Sequence, residues 1–331
     1  MSGVVIIGGG PGGYEAALVA NQLGADVTVI DRDGLGGSAV LTDCVPSKTL
    51  IATAEVMTDV SSAAELGINF QDAAGDAATS LRVDLARVNA RVKALAAAQS
   101  ADIEDRLTRR GIRIVKGTGR LGQGAGRGGG EVVATLADGG EESMHADAVL
   151  IATGAHPRVL PDAVPDGERI LTWEQVYDLT ETPTHMIVVG SGVTGAEFAS
   201  AYLALGVPVT LVSSRDRVLP GEDADAATVL EDVLGRRGMT ILGRSRMQSV
   251  TRDGDTVTVA LTDGRTVTGS HCILALGSIP NSAGLGLEQA GVQLDEGGFV
   301  RIDKVSRTTA PGVYAAGDCT GGFMLASTAA M

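Results

Sequence analysis

Residues 4–13 decide the fold, because the apolar strand Val-Val-Ile-Ile runs directly into the turn Gly-Gly-Gly-Pro-Gly-Gly. Apolar residues at helical spacing follow over residues 14–23, and a second strand over residues 26–31 ends on an acid. A strand, a glycine turn, a helix and a strand within about 30 residues form a βαβ unit, which pairs its strands in parallel.

Each key glycine of this first turn has a physical reason. Gly8 permits the tight turn, Gly10 lets the backbone approach a phosphate, and Gly13 lets the helix pack closely against the strand. The start of the following helix offers N–H groups and a positive dipole end to a pyrophosphate. An acid at the end of the second strand can accept hydrogen bonds from a ribose diol. The pattern therefore predicts a dinucleotide site at Gly8, Gly10, Pro11, Gly12, Gly13 and Asp31.

The same plan recurs later in the chain, with a strand over residues 186–189, a glycine turn, a helix and a strand over residues 209–213. No acid stands at the end of the second strand here. Two serines there can hydrogen-bond, and Arg215 or Arg217 can pair with a 2′-phosphate, although a solvated loop arginine is the alternative. We expect this second site to favour NADPH, with NADH still possible, and to use Gly190, Gly192, Val193, Thr194, Gly195, Ser213, Ser214 and Arg215.

Asp-Gly turns in both halves, at residues 138–139 and 263–264, are flanked by alternating strands and predict a small antiparallel meander in each half. The sequence therefore predicts an α/β fold with two doubly wound, Rossmann-like domains. We place the first domain at residues 1–155 and the second at residues 156–279, with residues 280–331 returning to the first domain.

An insert in the first half is predicted to be largely helical, with helices over residues 47–58 and 81–110. Apolar residues of the longer helix recur at helical spacing, so we interpret it as a packing helix with a solvated polar face. The glycine-rich stretch over residues 122–130 is predicted to be a flexible loop.

The composition narrows the class of function. The 331 residues carry 26 Lys and Arg against 40 Asp and Glu, a formal net charge of −14, so no nucleic-acid surface is expected. The four histidines show no ligand spacing and the three cysteines form no CxxC motif, so we expect no metal site. No apolar run is long enough for a membrane span, and no signal-peptide pattern opens the chain, so we expect a cytoplasmic protein.

Residues 36–48, Gly-Gly-Ser-Ala-Val-Leu-Thr-Asp-Cys-Val-Pro-Ser-Lys, closely resemble the flavoprotein disulfide reductase family. Residues 152–154, 275–277 and 309–318 extend this resemblance over essentially the whole chain. The resemblance implies FAD in the first domain, NAD(P)H in the second domain, and a homodimer. It also implies a C-terminal dimerisation domain with a His–Glu acid/base pair, which we expect to be absent from this chain.

One departure from the family pattern bears directly on the redox mechanism. The redox pair of the family reads Cys-x4-Cys and would need cysteines at positions 39 and 44, but position 39 is alanine. A single thiol cannot form an intramolecular disulfide, so dithiol relay chemistry is not expected. Cys272 and Cys319 are expected to be structural.

The resemblance assigns roles to individual residues. Lys48 is expected beside flavin N5 in a buried pair with Glu197, where its positive charge assists hydride arrival. Cys44 is either a relic that packs against the flavin or a redox-active thiol, and both remain open. The resemblance further implies FAD contacts at Gly37, Ser38, Gly117, Thr153, Gly154, Asp318 and Ala326, and nicotinamide-nucleotide contacts at Met247 and Gly277.

These observations favour an FAD-dependent NAD(P)H dehydrogenase that passes electrons directly from the flavin to a quinone-type acceptor. The alternatives within enzymes are a pyridine nucleotide transhydrogenase and a disulfide reductase that uses Cys44 alone. A flavoprotein kept for assembly or redox sensing is a third hypothesis, against which the intact Lys48, Glu197 and glycine turns argue.

Overall fold

The structure is a computed structural model that describes residues 2–68, 82–124 and 130–331. These residues fall into two compact units, which are described separately. The first unit comprises the described parts of Met1–Val45, Leu95–His156 and Ser278–Met331, and the second comprises those of Pro46–Ala94 and Pro157–Gly277.

The first unit is built on one seven-stranded sheet. Its strands, numbered along the whole chain, are β1 (Gly3–Ile7), β2 (Asp26–Asp31), β3 (Arg113–Leu121), β4 (Gly130–Leu136), β5 (Glu141–Ala146), β6 (Ala148–Ile151) and β17 (Val313–Ala315). The strand order is β17-β6-β1-β2-β3-β4-β5. The pairs from β17 to β3 are parallel and the last two are antiparallel. Val5, Ile6 and Ile7 of β1, which lies between the parallel strands β6 and β2, are buried, as expected for a strand covered on both faces.

Three helices belong to the first unit: α1 (Pro11–Gln22), α2 (Gly37–Leu41) and α7 (Ala326–Ala330). Two longer helices, α3 (Cys44–Ser62) and α4 (Leu85–Arg109), contain residues of both units. The short strands β7 (Ala155–Pro157) and β16 (Ser278–Pro280) pair with each other.

The second unit contains a five-stranded parallel sheet and a separate antiparallel sheet of three strands. The parallel sheet has the order β11-β10-β9-β15-β8, formed by β8 (Ile170–Thr172), β9 (Met186–Val189), β10 (Val209–Val212), β11 (Thr240–Leu242) and β15 (His271–Leu274). The antiparallel sheet contains β12 (Met247–Asp253), β13 (Thr256–Leu261) and β14 (Thr266–Gly269). The helices α5 (Val193–Ala204) and α6 (Ala224–Arg236) complete the unit.

The predicted α/β fold with two Rossmann-like units is confirmed, and both βαβ motifs lie where the sequence places them. Each crossover helix begins three residues earlier than predicted, at Pro11 and Val193. Proline suits the first helical position because its missing N–H has no partner there anyway. The two meanders differ, because β3 joins the first one to the parallel sheet while the second stands alone.

The predicted domain boundaries differ from the structure in one respect. The described residues 46–68 and 82–94 group with the second unit, although the sequence places them within the first domain. Leu50 and Leu85 of this segment pack in the same apolar core as Phe198 and Tyr202, and this burial explains the grouping. The assignment of each unit to one cofactor stays a prediction.

Both helices predicted for the insert are present among the described residues. The long helix runs from Leu85 to Arg109, and Leu85, Val92 and Leu107 of its apolar stripe are buried. Leu81, where we expect this helix to begin, lies outside the described residues, as do residues 125–129 of the predicted glycine-rich loop. Within the described ranges, no helix combines the length and apolar character that a membrane span requires.

Candidate functional site

The first glycine turn is held by contacts that exclude any side chain. Gly8 has a φ of +103°, and a Cβ there would lie 2.3 Å from the carbonyl oxygen of Ala152. A Cβ at Gly13 would lie 1.9 Å from the carbonyl oxygen of Gly8. Both distances are far inside van der Waals contact, so these two glycines are required by the protein itself.

Gly10 is different, because nothing in the chain requires a glycine there. It caps α1 with a φ of −68° and a ψ of −176°, extended backbone that any residue adopts. The nearest atom to a Cβ at Gly10 would be the Cα of Gly37, 4.0 Å away. The space beside Gly10 is therefore open at the start of a helix, where backbone N–H groups and the helix dipole favour a phosphate.

Asp31 ties this turn to the following loop. Its Oδ2 accepts the N–H of Gly9 at 2.7 Å, and its Oδ1 accepts the N–H groups of Asp33 and Gly34 at 3.0 and 2.6 Å. Burial raises the pKa of Asp31, and the three N–H groups oppose this rise by stabilising the carboxylate. Asp31 thus positions the turn, and it keeps lone-pair capacity for a further donor.

The second turn repeats the first in atomic detail. Gly190 has a φ of +113°, and its Cβ would lie 2.1 Å from the carbonyl oxygen of Ala275. The Cβ of a residue at Gly195 would lie 1.9 Å from the carbonyl oxygen of Gly190. Gly192 caps α5 in extended backbone, and a Cβ there would meet nothing within 4 Å. Each unit therefore has an open space beside its middle glycine at the start of a helix. In the second unit, this space is flanked by the exposed Val193 and the half-buried Thr194.

Of the residues after β10 that are expected to contact the nucleotide, Ser213 is buried. Ser213 is only 1% exposed, and its hydroxyl hydrogen-bonds with that of Ser191 at 2.6 Å and accepts the N–H of Arg215 at 3.0 Å. Ser213 therefore faces inward, which does not support its predicted direct contact with a ligand. Ser214 and Arg215 are exposed at the carboxyl end of the strand.

Lys48 and Glu197 form the ion pair that the family resemblance implies. Lys48 Nζ lies 2.6 Å from Oε1 and 2.8 Å from Oε2 of Glu197, so one ammonium contacts both carboxylate oxygens. Each residue is the fifth of its helix, Lys48 in α3 and Glu197 in α5, and the two lie 149 positions apart. We expected a buried pair, but the protein leaves it partly open, since the Lys48 side chain is 58% exposed.

The cysteines cannot form the redox-active Cys-x4-Cys disulfide of the family. Among the described residues Cys44, Cys272 and Cys319 form no disulfide. Cys44 is the first residue of α3, one helical turn before Lys48, and is partly exposed. Burial raises the pKa of Cys272 far above its usual range and that of Cys319 to about 11, so both stay protonated and unreactive at neutral pH.

Asn281 organises the loop around Thr153, and the sequence analysis missed it. Its carbonyl oxygen accepts the Thr153 hydroxyl at 2.7 Å, its side-chain amide donates to the Thr153 carbonyl at 2.9 Å, and its N–H donates to Gly154. No local signal identifies a partner 128 residues away. Gly154 has a φ of +69°, which favours glycine.

Asp318 has no hydrogen-bond partner for its carboxylate among the residues that the structure describes, and burial raises its pKa. An unsatisfied, half-buried carboxylate suits a ligand that donates hydrogen bonds. It follows Gly317, whose Cβ would lie 3.4 Å from the Cβ of Ala329 in α7. Ala326 begins this short helix.

Other predicted contacts of the first unit gather around the same turn. A Cβ at Gly12 would lie 3.0 Å from the carbonyl oxygen of Ala329, and a Cβ at Gly37 would lie 2.8 Å from the Cα of Gly10. Ser38 follows Gly37 in α2. Gly117 lies in β3, one residue beyond the register partner of Asp31.

The two remaining predictions concern the second unit. Met247 begins β12 and packs, half-buried, against the apolar cluster that contains Val212. Gly277 has a φ of +86°, and its carbonyl accepts the N–H of Arg158 at 2.9 Å. It ends the Ala-Leu-Gly segment whose Ala275 abuts Gly190, just as Gly154 ends the segment whose Ala152 abuts Gly8.

The residues present fit a dinucleotide in each unit. In both turns the outer glycines are required by the chain, whereas the middle glycine leaves an opening that a Cβ would occupy. In the first unit, the partnerless carboxylate of Asp318 adds an acceptor for a ligand hydroxyl. This donor and acceptor set suits a dinucleotide such as FAD or NAD(P)H in each unit, and the assignment of one cofactor to each unit stays a prediction.

The chain belongs to the pyridine nucleotide-disulphide oxidoreductase family, whose model matches residues 2–331. It is 55% identical over 334 residues to an NAD(P)H dehydrogenase (quinone) of Mycobacterium tuberculosis, and the match covers 99% of this chain and 66% of that protein. This relative confirms the family resemblance, and it shows that the chain is similar to a mycobacterial quinone reductase.

Two further comparisons support the same family membership. A dihydrolipoyl dehydrogenase of Zymomonas mobilis is 33% identical over 332 residues, covering 98% of this chain and 68% of that protein. The crystal structure of LpdA from Mycobacterium tuberculosis is 54% identical, with a TM-score of 0.94, and the match covers 100% of this chain and 70% of the other. The chain thus spans about two thirds of the length of these relatives.

Proposed function

We propose that the protein is an FAD-dependent NAD(P)H dehydrogenase that passes electrons to a quinone-type acceptor without a redox-active disulfide. The observation that carries this proposal is alanine at position 39 in a chain with two intact dinucleotide turns. A relative with 55% identity is an NAD(P)H dehydrogenase (quinone), which supports the same activity. When bound, FAD supplies the two-electron redox chemistry between the nicotinamide and the acceptor.

The residues of the chain divide the remaining work. The turn at Gly8–Gly13 holds the pyrophosphate of FAD against the start of α1, and the turn at Gly190–Gly195 does the same for the nicotinamide nucleotide at α5. Asp318 accepts a hydroxyl group of FAD. Glu197 fixes the ammonium of Lys48 through two short contacts, which keeps a positive charge at a defined position.

Nothing in the structure favours the alternatives of a transhydrogenase or of a disulfide reductase that depends on Cys44 alone. A homodimer and a cytoplasmic location remain part of this proposal, supported only by the family resemblance and the sequence pattern. The individual cofactor contacts are likewise part of the proposal.

Turnover with different acceptors tests the proposed function. NAD(P)H oxidation is expected to be fast with a benzoquinone and at least about 100-fold slower with lipoamide or glutathione disulfide, because no dithiol can attack a disulfide substrate. Steady-state nicotinamide absorbance measures both rates, and Cys44→Ser should leave the quinone rate unchanged. Disulfide reduction at a rate similar to that of the quinone would refute the proposal.

A further inference from the structure

One residue of the first unit holds the segment after β6 at four points. Asn281 directly follows β16, and each of its polar groups is hydrogen-bonded to residues 153–156. Its N–H donates to the Gly154 carbonyl at 2.9 Å, and its carbonyl accepts the Thr153 hydroxyl at 2.7 Å. Its amide Nδ2 donates to the Thr153 carbonyl at 2.9 Å, and its Oδ1 lies 2.7 Å from Nδ1 of His156. A substitution of the side chain therefore removes the last two bonds and leaves the backbone bonds in place.

The partners of the Asn281 side chain fix the orientation of its amide. The Thr153 carbonyl can only accept a hydrogen bond, so it must face Nδ2 rather than Oδ1. Oδ1 then faces His156, and because an amide oxygen can only accept, Nδ1 of His156 must carry the hydrogen of this bond. A flipped amide would set two acceptors against each other at Thr153. His156 and Thr153 therefore favour the same orientation.

Cys319 contacts the same segment from another element. It is fully buried, and its thiol donates to the Ala316 carbonyl at 3.3 Å. Burial raises the pKa of Cys319 to about 11, and the N–H groups of Gly154 and Thr153 oppose this rise because they are hydrogen-bonded to its sulfur. Cys319 directly follows Asp318, whose carboxylate has no hydrogen-bond partner among the residues that the structure describes. The segment after β6 is thus tied to the position of Asp318.

The same segment also abuts the first glycine turn. The Ala152 N–H donates to the Ile7 carbonyl at 2.8 Å, and a Cβ at Gly8 would lie 2.3 Å from the carbonyl oxygen of Ala152. Residues 152–154 therefore connect the turn predicted for the pyrophosphate with Asp318, the predicted acceptor for a hydroxyl group of FAD. Binding groups act together only when they are held to within about 0.5 Å of their working positions, so the placement of this segment matters for the cofactor.

We propose that Asn281 is a positioning residue for FAD: it holds Thr153 and Gly154 in place between the glycine turn and Asp318, and His156 keeps its amide in the required orientation. Asn281 acts through residues 153–154 and not through a contact of its own with the cofactor. The proposal rests on the proposed function in that it assigns the first unit to FAD. A merely structural hydrogen bond would change the stability of the unit and leave the retention of FAD unaltered.

The rate of FAD release tests this role without using the enzyme's activity. The FAD-loaded protein is diluted into FAD-free buffer, and the flavin that passes an ultrafiltration membrane is measured over time. Asn281→Ala should release FAD about 10-fold faster or more, because the Thr153 carbonyl loses its donor. Ser282→Ala is the matched control, since the neighbouring Ser282 hydroxyl donates at 2.7 Å to the carbonyl of Gly298, outside residues 152–156. A parental rate in Asn281→Ala, or an equal acceleration in both variants, would overturn the proposal.

The visible circular dichroism of the bound flavin gives a second readout, measured with excess FAD so that every variant is loaded. We expect the spectrum to change in Asn281→Ala, because the displaced segment alters the surroundings of the cofactor, and to stay parental in Ser282→Ala. Urea unfolding of the FAD-free protein should show similar losses of stability in the two variants, since each loses buried or partly buried hydrogen bonding. A parental spectrum in Asn281→Ala would indicate a structural role only and would overturn the proposal.

Asn281→Asp separates the two bonds of the side chain. A carboxylate oxygen still accepts from His156, but the ionised group has no hydrogen to donate to the Thr153 carbonyl. At neutral pH we therefore expect FAD release at least as fast as in Asn281→Ala, because two acceptors then face each other. Release at the parental rate would show that the donor to Thr153 does not position the cofactor, which would overturn the proposal.

A double-mutant cycle tests the part assigned to His156. His156→Ala alone should speed FAD release about 3-fold, and it should add nothing in the Asn281→Ala background, because His156 acts only through the amide. No effect of the single variant, or an effect of the same size in both backgrounds, would overturn the assignment of His156. Absence of quinone turnover in the parent protein would refute the proposed function, whereas the release of FAD would still decide the role of Asn281.

Discussion

Gly13→Ala is expected to destabilise the first unit by about 3 kcal/mol or more and to abolish FAD binding. The new Cβ would lie 1.9 Å from the carbonyl oxygen of Gly8 and 3.3 Å from Cγ2 of Ile6, so the strand, the turn or the helix must move. Urea unfolding of the FAD-free protein measures the first effect, and the flavin absorbance that remains after gel filtration measures the second.

Gly10→Ala is the matched variant, because it separates ligand binding from folding. Its Cβ would meet only the Cα of Gly37 at 4.0 Å, so the free energy of unfolding should change by less than about 0.5 kcal/mol. FAD should nevertheless bind at least about 10-fold more weakly, since the methyl group occupies the opening beside the helix start. Retention of FAD with parental affinity in Gly10→Ala would contradict the assignment of this turn to the pyrophosphate.

Lys48→Met is expected to lower kcat/KM for the nicotinamide nucleotide about 100-fold with a quinone acceptor. The substitution removes a positive charge that Glu197 holds in place, and loss of one preorganised electrostatic group has effects of this size. Stopped-flow measurement of the bleaching of flavin absorbance by NADPH reports the same loss. Glu197→Gln should lose less activity, because it keeps the charge of Lys48 and removes only its anchor.

Lys93→Met provides a closely matched control. Lys93 pairs with Asp178 at 2.5 Å in the same unit, and its side chain is 54% exposed against 58% for Lys48. Exposed pairs contribute at most about 1 kcal/mol to stability, so both lysine variants should fold normally. A parental rate in Lys48→Met, or an equal loss in Lys93→Met, would refute the catalytic role of Lys48.

The parts of the fold that follow from local physics were predictable from the sequence. The glycines at positions 8, 13, 190 and 195 are dictated by contacts within their own turns and with the neighbouring Ala152 and Ala275, and the apolar strands before them are buried. The Lys48–Glu197 pair was predictable only through the family resemblance, because 149 residues separate its members.

Other features leave no local pattern. Strand β12 was missed because only Val250 of its seven residues is buried, so the alternation that marks a strand is weak. The inward orientation of Ser213 depends on a hydroxyl 22 residues away, and Asn281 acts on a loop 128 residues away. Residues 46–68 and 82–94 group with the second unit because Leu50 and Leu85 fill its core, and periodicity alone does not specify which core a leucine fills.

The number of electrons that the protein takes up shows whether a disulfide shares the redox chemistry with the flavin. An anaerobic dithionite titration of the FAD-loaded protein measures this number from the flavin absorbance and the total reductant consumed. Position 39 is alanine, so the Cys-x4-Cys disulfide of the family cannot form, and we expect two electrons per FAD. Uptake of four electrons per FAD would reveal a redox-active disulfide and would rule out direct transfer from the flavin without one.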